Sequence, residues 1–209
     1  MKIEREIRIL DGLAIEERKD NRPPTLKGYA AVFDTETDIA GFFREKIARG
    51  AFADAISKAS ADVHALFNHD DNFVLGRMKP GTLRMSEDDH GLAVEIDPPD
   101  APYAQSLIAS IKRGDIDQMS FAFTMRGGVQ KWDDSQTPAL RIIEKVGELY
   151  DVSVVTRGAY PQTEVNVGAG KRSLEEFREI LRKQREFVAA TFVIRRKMNL
   201  GLKIRRMAS

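Results

Sequence analysis

The 209-residue sequence contains no cysteine. A chain without cysteine has no disulfide, no thiolate metal ligand and no cysteine nucleophile, which excludes disulfide scaffolds and thiol proteases. The absence is compatible with a reducing compartment. Histidine is also scarce, with three in the whole chain. Any chemistry that needs an imidazole must therefore use His64, His69 or His90.

Long apolar runs are missing as well. No stretch approaches the roughly 20 apolar residues that a transmembrane helix requires. The charged residues 1–6 do not have the pattern of a signal peptide. These absences predict a soluble intracellular protein without membrane contact. A chain of 209 residues has room for one domain of ordinary size and an appendage.

The near-neutral net charge hides two oppositely charged parts. Residues 171–209 hold 12 Lys and Arg against 4 Asp and Glu, a net charge of +8. The preceding residues hold the other 21 basic and 28 acidic side chains, a net charge of −7. We therefore expect a mildly acidic domain at 1–167, a linker at 168–172 and a basic helical tail at 173–209.

The pattern of residues 1–167 indicates mostly short strands separated by Gly, Pro and Asp turns. Two segments have helical spacing instead, 52–60 and 103–113. Residues 132–138 have the composition of a polar loop. We expect an α+β fold, mainly an antiparallel β-barrel that is closed or nearly closed, with flanking helices.

The tail begins with a helix-start signal. Ser173 and Glu176 have the spacing of a capping box. Apolar residues then share one face of an amphipathic helix: Leu174, Phe177, Leu181 and Val188. Such a helix could dock on the barrel or form a dimer contact. Binding of nucleic acid is disfavoured, because no aromatic residues alternate with the basic ones.

Ser120 is the candidate nucleophile. It lies between Met119 and Phe121 in a strand-like apolar segment. A serine in such a segment is not expected at the surface, which makes it a candidate for a buried nucleophile. The simpler interpretation is a strand serine whose hydroxyl bonds a backbone carbonyl. No Gly-x-Ser-x-Gly elbow surrounds it, which disfavours an α/β-hydrolase.

His69 is the candidate base that would remove the proton of Ser120 at neutral pH. His90 lies in an acidic turn, and His64 would point to the opposite face of a strand. The simpler interpretation of His69 is a surface-turn residue. A metal site at His64, His69, Asp70 and Asp71 is a further possibility, but zinc ligands usually have cleaner spacing. The leading hypothesis is serine-type hydrolysis with no metal and no cofactor.

The third group of such a site orients the histidine and stabilises the imidazolium. Asp151 lies in an apolar run between Tyr150 and Val152, where a carboxylate is costly unless it is hydrogen-bonded. Glu148, at the start of the same strand, is the alternative. An ion pair with Arg157 or with another arginine of the barrel is the simpler interpretation of Asp151.

Four separated segments carry a resemblance to a known family: GYAAVFD at 28–34, LFNHD at 66–70, MSFAF at 119–123 and LYDVSVVTR at 149–157. In this order and spacing they resemble the prohead (head maturation) proteases of tailed bacteriophages, which are akin in fold to the herpesvirus assemblins. The resemblance covers roughly residues 1–167. It is specific because four motifs agree, although each alone would be weak.

The resemblance implies a serine endopeptidase on a β-barrel with flanking helices. Ser120 maps to the nucleophile, His69 to the general base and Asp151 to the third catalytic residue, where family members usually carry glutamate. By similarity to assemblins, backbone groups and Arg157 would help to hold the oxyanion.

Members of this family cleave scaffold segments inside the assembled prohead, and often themselves, before genome packaging. The resemblance implies the major capsid protein or its scaffold segment as partner, and a homodimer or oligomer as the active form. It places the protein in the host cytoplasm, within the assembling prohead or expressed from an integrated prophage. The basic tail resembles a packaging or self-cleavage appendage. The alternative function is a catalytically inactive capsid-assembly or scaffold-binding protein on the same barrel.

Overall fold

The computed structural model of this chain describes residues 5–18, 23–58, 60–156, 172–183 and 186. By its internal contacts the chain divides into two compact units, Met1–Ala169 and Gly170–Ser209. In the second unit, residues 172–183 are helical. Ser173 was predicted to be the N-cap of this helix, but Arg172 is already helical, so Ser173 lies inside the helix. Most of the predicted linker and the basic end of the tail lie outside the described residues.

Strands dominate the described part of the first unit. In chain order its elements are β1 (Glu6–Asp11), β2 (Ala14–Glu16), β3 (Thr25–Val32), β4 (Thr37–Ile39), β5 (Phe43–Ile47), α1 (Ala53–Ser57), β6 (His64–Phe67), β7 (Asp70–Arg77), β8 (Leu83–Glu87), β9 (Gly91–Ile96), α2 (Pro102–Arg113), β10 (Gln118–Thr124), β11 (Val129–Asp133), β12 (Leu140–Lys145) and β13 (Glu148–Val155). No helix within the described ranges is long and apolar enough to cross a membrane.

The strands form three sheets. A five-stranded sheet has the order β1-β10-β13-β6-β7, and two four-stranded sheets have the orders β2-β3-β9-β8 and β11-β12-β5-β4. Most neighbours are antiparallel, whereas β12 with β5 and β13 with β6 are parallel. The predicted α+β class with mostly strands is confirmed. The predicted barrel is not, because none of these sheets closes on itself among the described strands.

The central strands of the five-stranded sheet bury one apolar face. Met119 and Phe121 of β10 pair in register with Val154 and Val152 of β13. All four side chains are at most 1% exposed and belong to one core cluster with the apolar residues of α2. Burial of each such side chain contributes about 1.5–3 kcal/mol. The alternation of strand side chains then leaves the serine positions on the opposite face.

The structure forms strands β2, β4 and β11 in segments where the sequence predicted none. β2 and β4 have three residues each, too few for alternation to show in the sequence. The predicted polar loop at 132–138 is wrong at its start, because Trp132 lies in β11 and packs edge-on against Phe43 with ring centroids 5.2 Å apart. Helix α1 is also shorter than the predicted 52–60.

Three buried charged side chains and the partly buried Arg8 connect β1 to β5 and β12. Arg141 donates to Glu6 at 2.9 Å and to Glu45 at 2.9 Å. Arg8 donates to Glu45 at 2.8 Å and to Glu6 at 2.9 Å. Arg141 is 1% exposed, and Glu6 and Glu45 are 3% exposed. The two arginines and two glutamates give the group no net charge. Each charge has an opposite partner, which is required because burial of an unpaired charge is costly.

The pKa of Glu45 reports the balance within this group. Burial by itself raises the pKa of the Glu45 carboxyl, but the attraction and hydrogen bonds of Arg8 and Arg141 outweigh burial and lower it. Glu45 is therefore held as a carboxylate. Removal of one partner would leave a buried guanidinium without its counter-charge, which typically costs about 3–5 kcal/mol.

We predict that Glu45→Gln lowers the free energy of unfolding by about 3–5 kcal/mol, measured by denaturant titration. The matched control is Glu144→Gln, which breaks the pair between Glu144 and Lys131 at the surface. A surface pair contributes about 0–1 kcal/mol. Equal losses in the two variants would contradict a stabilising role of the buried group.

Stability against acid provides a second readout for the same group. Since the pKa of Glu45 is lowered in the folded state, its contribution is present above the ordinary glutamate pKa of 4.5 and is lost as the pH falls through the folded value. We expect the stability of Glu45→Gln to vary less with pH below 4.5 than that of the wild type, measured by thermal unfolding across acid pH. Parallel pH curves for the two proteins would contradict this assignment.

Candidate active site

Ser120, Ser153 and Asp151 lie on one face of the five-stranded sheet. Ser120 of β10 is directly opposite Ser153 of β13, and Asp151 precedes Ser153 by two residues on the same strand. Because cross-strand partners and residues two apart share a face, all three project to the side opposite the apolar core. Ser120 and Ser153 have no exposed surface, and Asp151 is 3% exposed.

A tight turn brings His69 over this face. β6 runs parallel to β13 and pairs with it, and the hairpin to β7 turns at Asn68 and His69. Both residues have a positive φ, 54° and 58°, which the common two-residue hairpin turn requires at both central positions. Asparagine and histidine are among the non-glycine residues found most often at positive φ, but each still pays a conformational cost there.

Asn68 anchors the turn to β13. Its backbone N–H donates to the Val154 carbonyl at 2.9 Å. Its side-chain Oδ1 accepts from the Thr156 N–H at 3.0 Å. These two bonds hold Asn68, the residue before His69 in the turn, against the end of the strand that carries Asp151.

The side chain of His69 bridges Ser120 and Asp151. Its Nε2 lies 2.7 Å from Ser120 Oγ, and its Nδ1 lies 2.5 Å from Asp151 Oδ1. When the carboxylate accepts the Nδ1 proton, Nε2 is left free to accept the hydroxyl proton of Ser120. That arrangement allows an imidazole to activate a serine as a nucleophile. The His69 side chain is 13% exposed, so the base is more accessible than the hydroxyl it contacts.

The structure brings Asp151 and not Glu148 into contact with His69. Glu148 is exposed at the start of β13, opposite Thr124. The register shifts between Ala122 and Phe123, so that Tyr150 is left without a partner. This bulge keeps Leu149 in the core and still directs Asp151 to the site face.

A polar cleft of about 620 Å³ opens beside Asp151. Its lining includes His64, Asp71, Glu148 and Tyr150. Burial and the neighbouring Glu148 raise the pKa of Tyr150. Charged and polar side chains therefore line much of the cleft on the carboxylate side of the site.

The residues of the alternative metal site are not gathered. Asp70 accepts bonds from Asn72 within the hairpin, and His64 lines the polar cleft. No group of three or more His, Asp or Glu side chains in the described ranges could hold a metal ion. His90 packs edge-on against Tyr29 with ring centroids 4.5 Å apart.

The groups expected to hold the oxyanion were backbone groups and Arg157. The Thr156 N–H already donates to Asn68, so it is not directed at a substrate. Arg157 lies outside the described residues. The Ser120 side chain has no solvent-exposed surface in this structure.

Sequence reasoning missed two residues of the site, Ser153 and Asn68. Ser153 Oγ donates to Asp151 Oδ1 at 2.7 Å and lies 3.2 Å from His69 Nδ1. A signal for it existed, because a serine two positions after a carboxylate shares its strand face. The anchoring by Asn68 had no such signal, since it depends on Thr156, 88 positions away in the chain.

Comparison with known proteins gives one family match. The family described as caudovirus prohead serine protease matches residues 12–180, a range that spans the candidate site. Among solved structures, the chain is similar to the capsid assembly protease gp21 of bacteriophage T4, with a TM-score of 0.46 and 11% identity. That alignment covers 72% of this chain and 97% of the other. No curated protein matches the sequence.

Asp151 and Glu148 make a matched pair of carboxylates for a test. We predict that Asp151→Asn slows covalent labelling of Ser120 by a small fluorophosphonate about 10³- to 10⁴-fold, because an amide at this position favours the wrong histidine tautomer. Glu148→Gln should change the rate by less than about threefold, since the loss of an exposed charge that does not touch His69 is worth little. A larger effect at Glu148 than at Asp151 would reverse the assignment.

Proposed function

Because the chain belongs to the caudovirus prohead serine protease family, we propose that it is a serine endopeptidase of phage head maturation. Ser120 is the nucleophile, His69 is the general base and Asp151 orients the imidazole. The observation that carries these roles is the continuous chain of contacts from Ser120 Oγ through both nitrogens of His69 to Asp151 Oδ1.

The proposed reaction uses these three side chains in turn. Ser120 Oγ attacks the peptide carbonyl while His69 Nε2 takes its proton, and the resulting imidazolium faces the Asp151 carboxylate. His69 then returns the proton to the leaving amine, and the peptide C–N bond breaks. A water molecule, deprotonated by His69, attacks the acyl-enzyme and releases the acid product and Ser120.

The proposed substrates are the major capsid protein or its scaffold segment, and the protein itself. The support is the family description, which places such proteases in the prohead. The proposed site of action is therefore the assembling prohead in the host cytoplasm. The protein would be expressed from an infecting phage or from an integrated prophage. A homodimer or oligomer as the active form stays part of this proposal.

The basic tail fits the same proposal as a segment removed by self-cleavage or used in packaging. Its net charge of +8 between residues 171 and 209 contrasts with the acidic residues that precede it. The division into a domain at 1–167, a linker at 168–172 and a tail at 173–209 stays a prediction.

One observation favours the alternative of a catalytically inactive assembly protein on the same fold. Ser120 has no exposed surface, which is also expected of a serine with a purely structural role. However, a purely structural serine does not need a histidine on its hydroxyl and a carboxylate behind that histidine. Buried polar groups more often bond the neighbouring backbone.

Co-expression with the capsid protein of the same phage separates the two functions. We predict that Ser120→Ala abolishes processing of the capsid precursor and of the chain itself, measured by the appearance of shortened products in mass spectrometry. The matched control is Ser106→Ala, at an exposed serine of α2, which should process normally. Unchanged processing by Ser120→Ala would refute the protease assignment as written, and inhibition by a chelator would favour a metal hydrolase instead.

A further inference from the structure

Ser153 is a second fully buried serine beside the proposed nucleophile. It is the direct cross-strand partner of Ser120. Its hydroxyl donates to Asp151 Oδ1 at 2.7 Å. None of the proposed catalytic steps uses this hydroxyl, so its buried hydrogen bond requires a separate explanation.

The two serines contact different sides of the imidazole. Ser120 Oγ lies at Nε2, which has no other hydrogen-bond partner among the described side chains. Ser153 Oγ lies 3.2 Å from Nδ1, which already has Asp151 Oδ1 at 2.5 Å. Since Nδ1 and Asp151 are paired, no basic nitrogen is left to deprotonate Ser153. This geometry separates a nucleophile position from a supporting position.

Asp151 Oδ1 is the point where the two donors converge. In the described part of the chain, His69 and Ser153 are the side chains that hydrogen-bond this carboxylate. A carboxylate on a single Cβ can rotate about its terminal torsion, which has broad energy wells. The second donor, fixed on the same rigid strand two residues later, opposes that rotation and keeps Oδ1 in line with Nδ1.

We propose that Ser153 is a positioning residue, which holds the Asp151 carboxylate against His69 so that the imidazole keeps its proton on Nδ1 and its free electron pair towards Ser120. The inference rests on the proposed serine-protease function. It adds a fourth side chain that acts through Asp151 and does not touch the substrate. Its effect belongs to the reaction step rather than to substrate binding.

The test measures covalent labelling of Ser120 by a small fluorophosphonate, in which Ser120 Oγ displaces fluoride from phosphorus while His69 takes the hydroxyl proton. We expect Ser153→Ala to lower the maximal labelling rate about 10- to 100-fold, as for the loss of a hydrogen bond to a charged group, with the half-saturating probe concentration unchanged. Ser153→Thr keeps the hydroxyl and should restore the rate to within about threefold.

Thr25→Val is the matched control for the loss of a buried hydroxyl. Thr25 Oγ1 donates to Asp97 Oδ1 at 2.8 Å, which is the same kind of bond placed in another sheet. Thr25→Val should lower thermal stability without changing the labelling rate. If it slows labelling as much as Ser153→Ala does, the effect of Ser153 is general destabilisation and the proposal is wrong.

A double-mutant cycle tests whether Ser153 acts through Asp151. In the Asp151→Asn background, Ser153→Ala should have no further effect on labelling, because the carboxylate it positions is already gone. Independent, multiplicative losses would overturn the proposal. If wild-type Ser120 is not labelled at all, the serine-protease function itself fails; if the wild type is labelled and Ser153→Ala is labelled equally fast, only the role of Ser153 fails.

Discussion

The position of β13 between β10 and β6 is the constraint on which the site depends. β10 and β13 are antiparallel and place Ser120 opposite Ser153, whereas β6 runs parallel to β13 and ends beside it. The hydrogen bond from the Asn68 N–H to the Val154 carbonyl continues this pairing into the hairpin turn. A shift of β6 by one residue would move His69 away from both of its partners, because register decides which face each side chain occupies.

The same sheet has opposite requirements on its two faces. One face buries Met119, Phe121, Val152 and Val154, and it derives stability from the removal of apolar surface from water. The other face carries two buried hydroxyls, a buried carboxylate and a partly buried imidazole, which are tolerated because each bonds another member of the group. A low-dielectric environment strengthens these bonds, and it also makes the loss of any one of them costly.

A second buried polar group, formed by Glu6, Arg8, Glu45 and Arg141, connects the edge strand β1 to the sheet of β5 and β12. It lies on the core side of β1, whereas the site lies on the opposite face of the neighbouring strand β10. Its charges balance, so it specifies how two sheets meet without leaving a net charge in the interior. The two groups share one physical rule: buried polar atoms must satisfy one another.

The sequence by itself determined the local features. Alternation of apolar and polar residues predicted most of the described strands, and helical spacing predicted α1 and α2. The same alternation marked Ser120 and Asp151 as polar residues in apolar strands. The scarcity of histidine reduced the candidates for a base to three. Only the tertiary structure decided which groups meet. Strand order, the parallel β6–β13 pair, the bulge at Tyr150 and the contacts of His69 with Ser120 and Asp151 all join residues distant in the chain or depend on register. Local residue patterns carry no information about either.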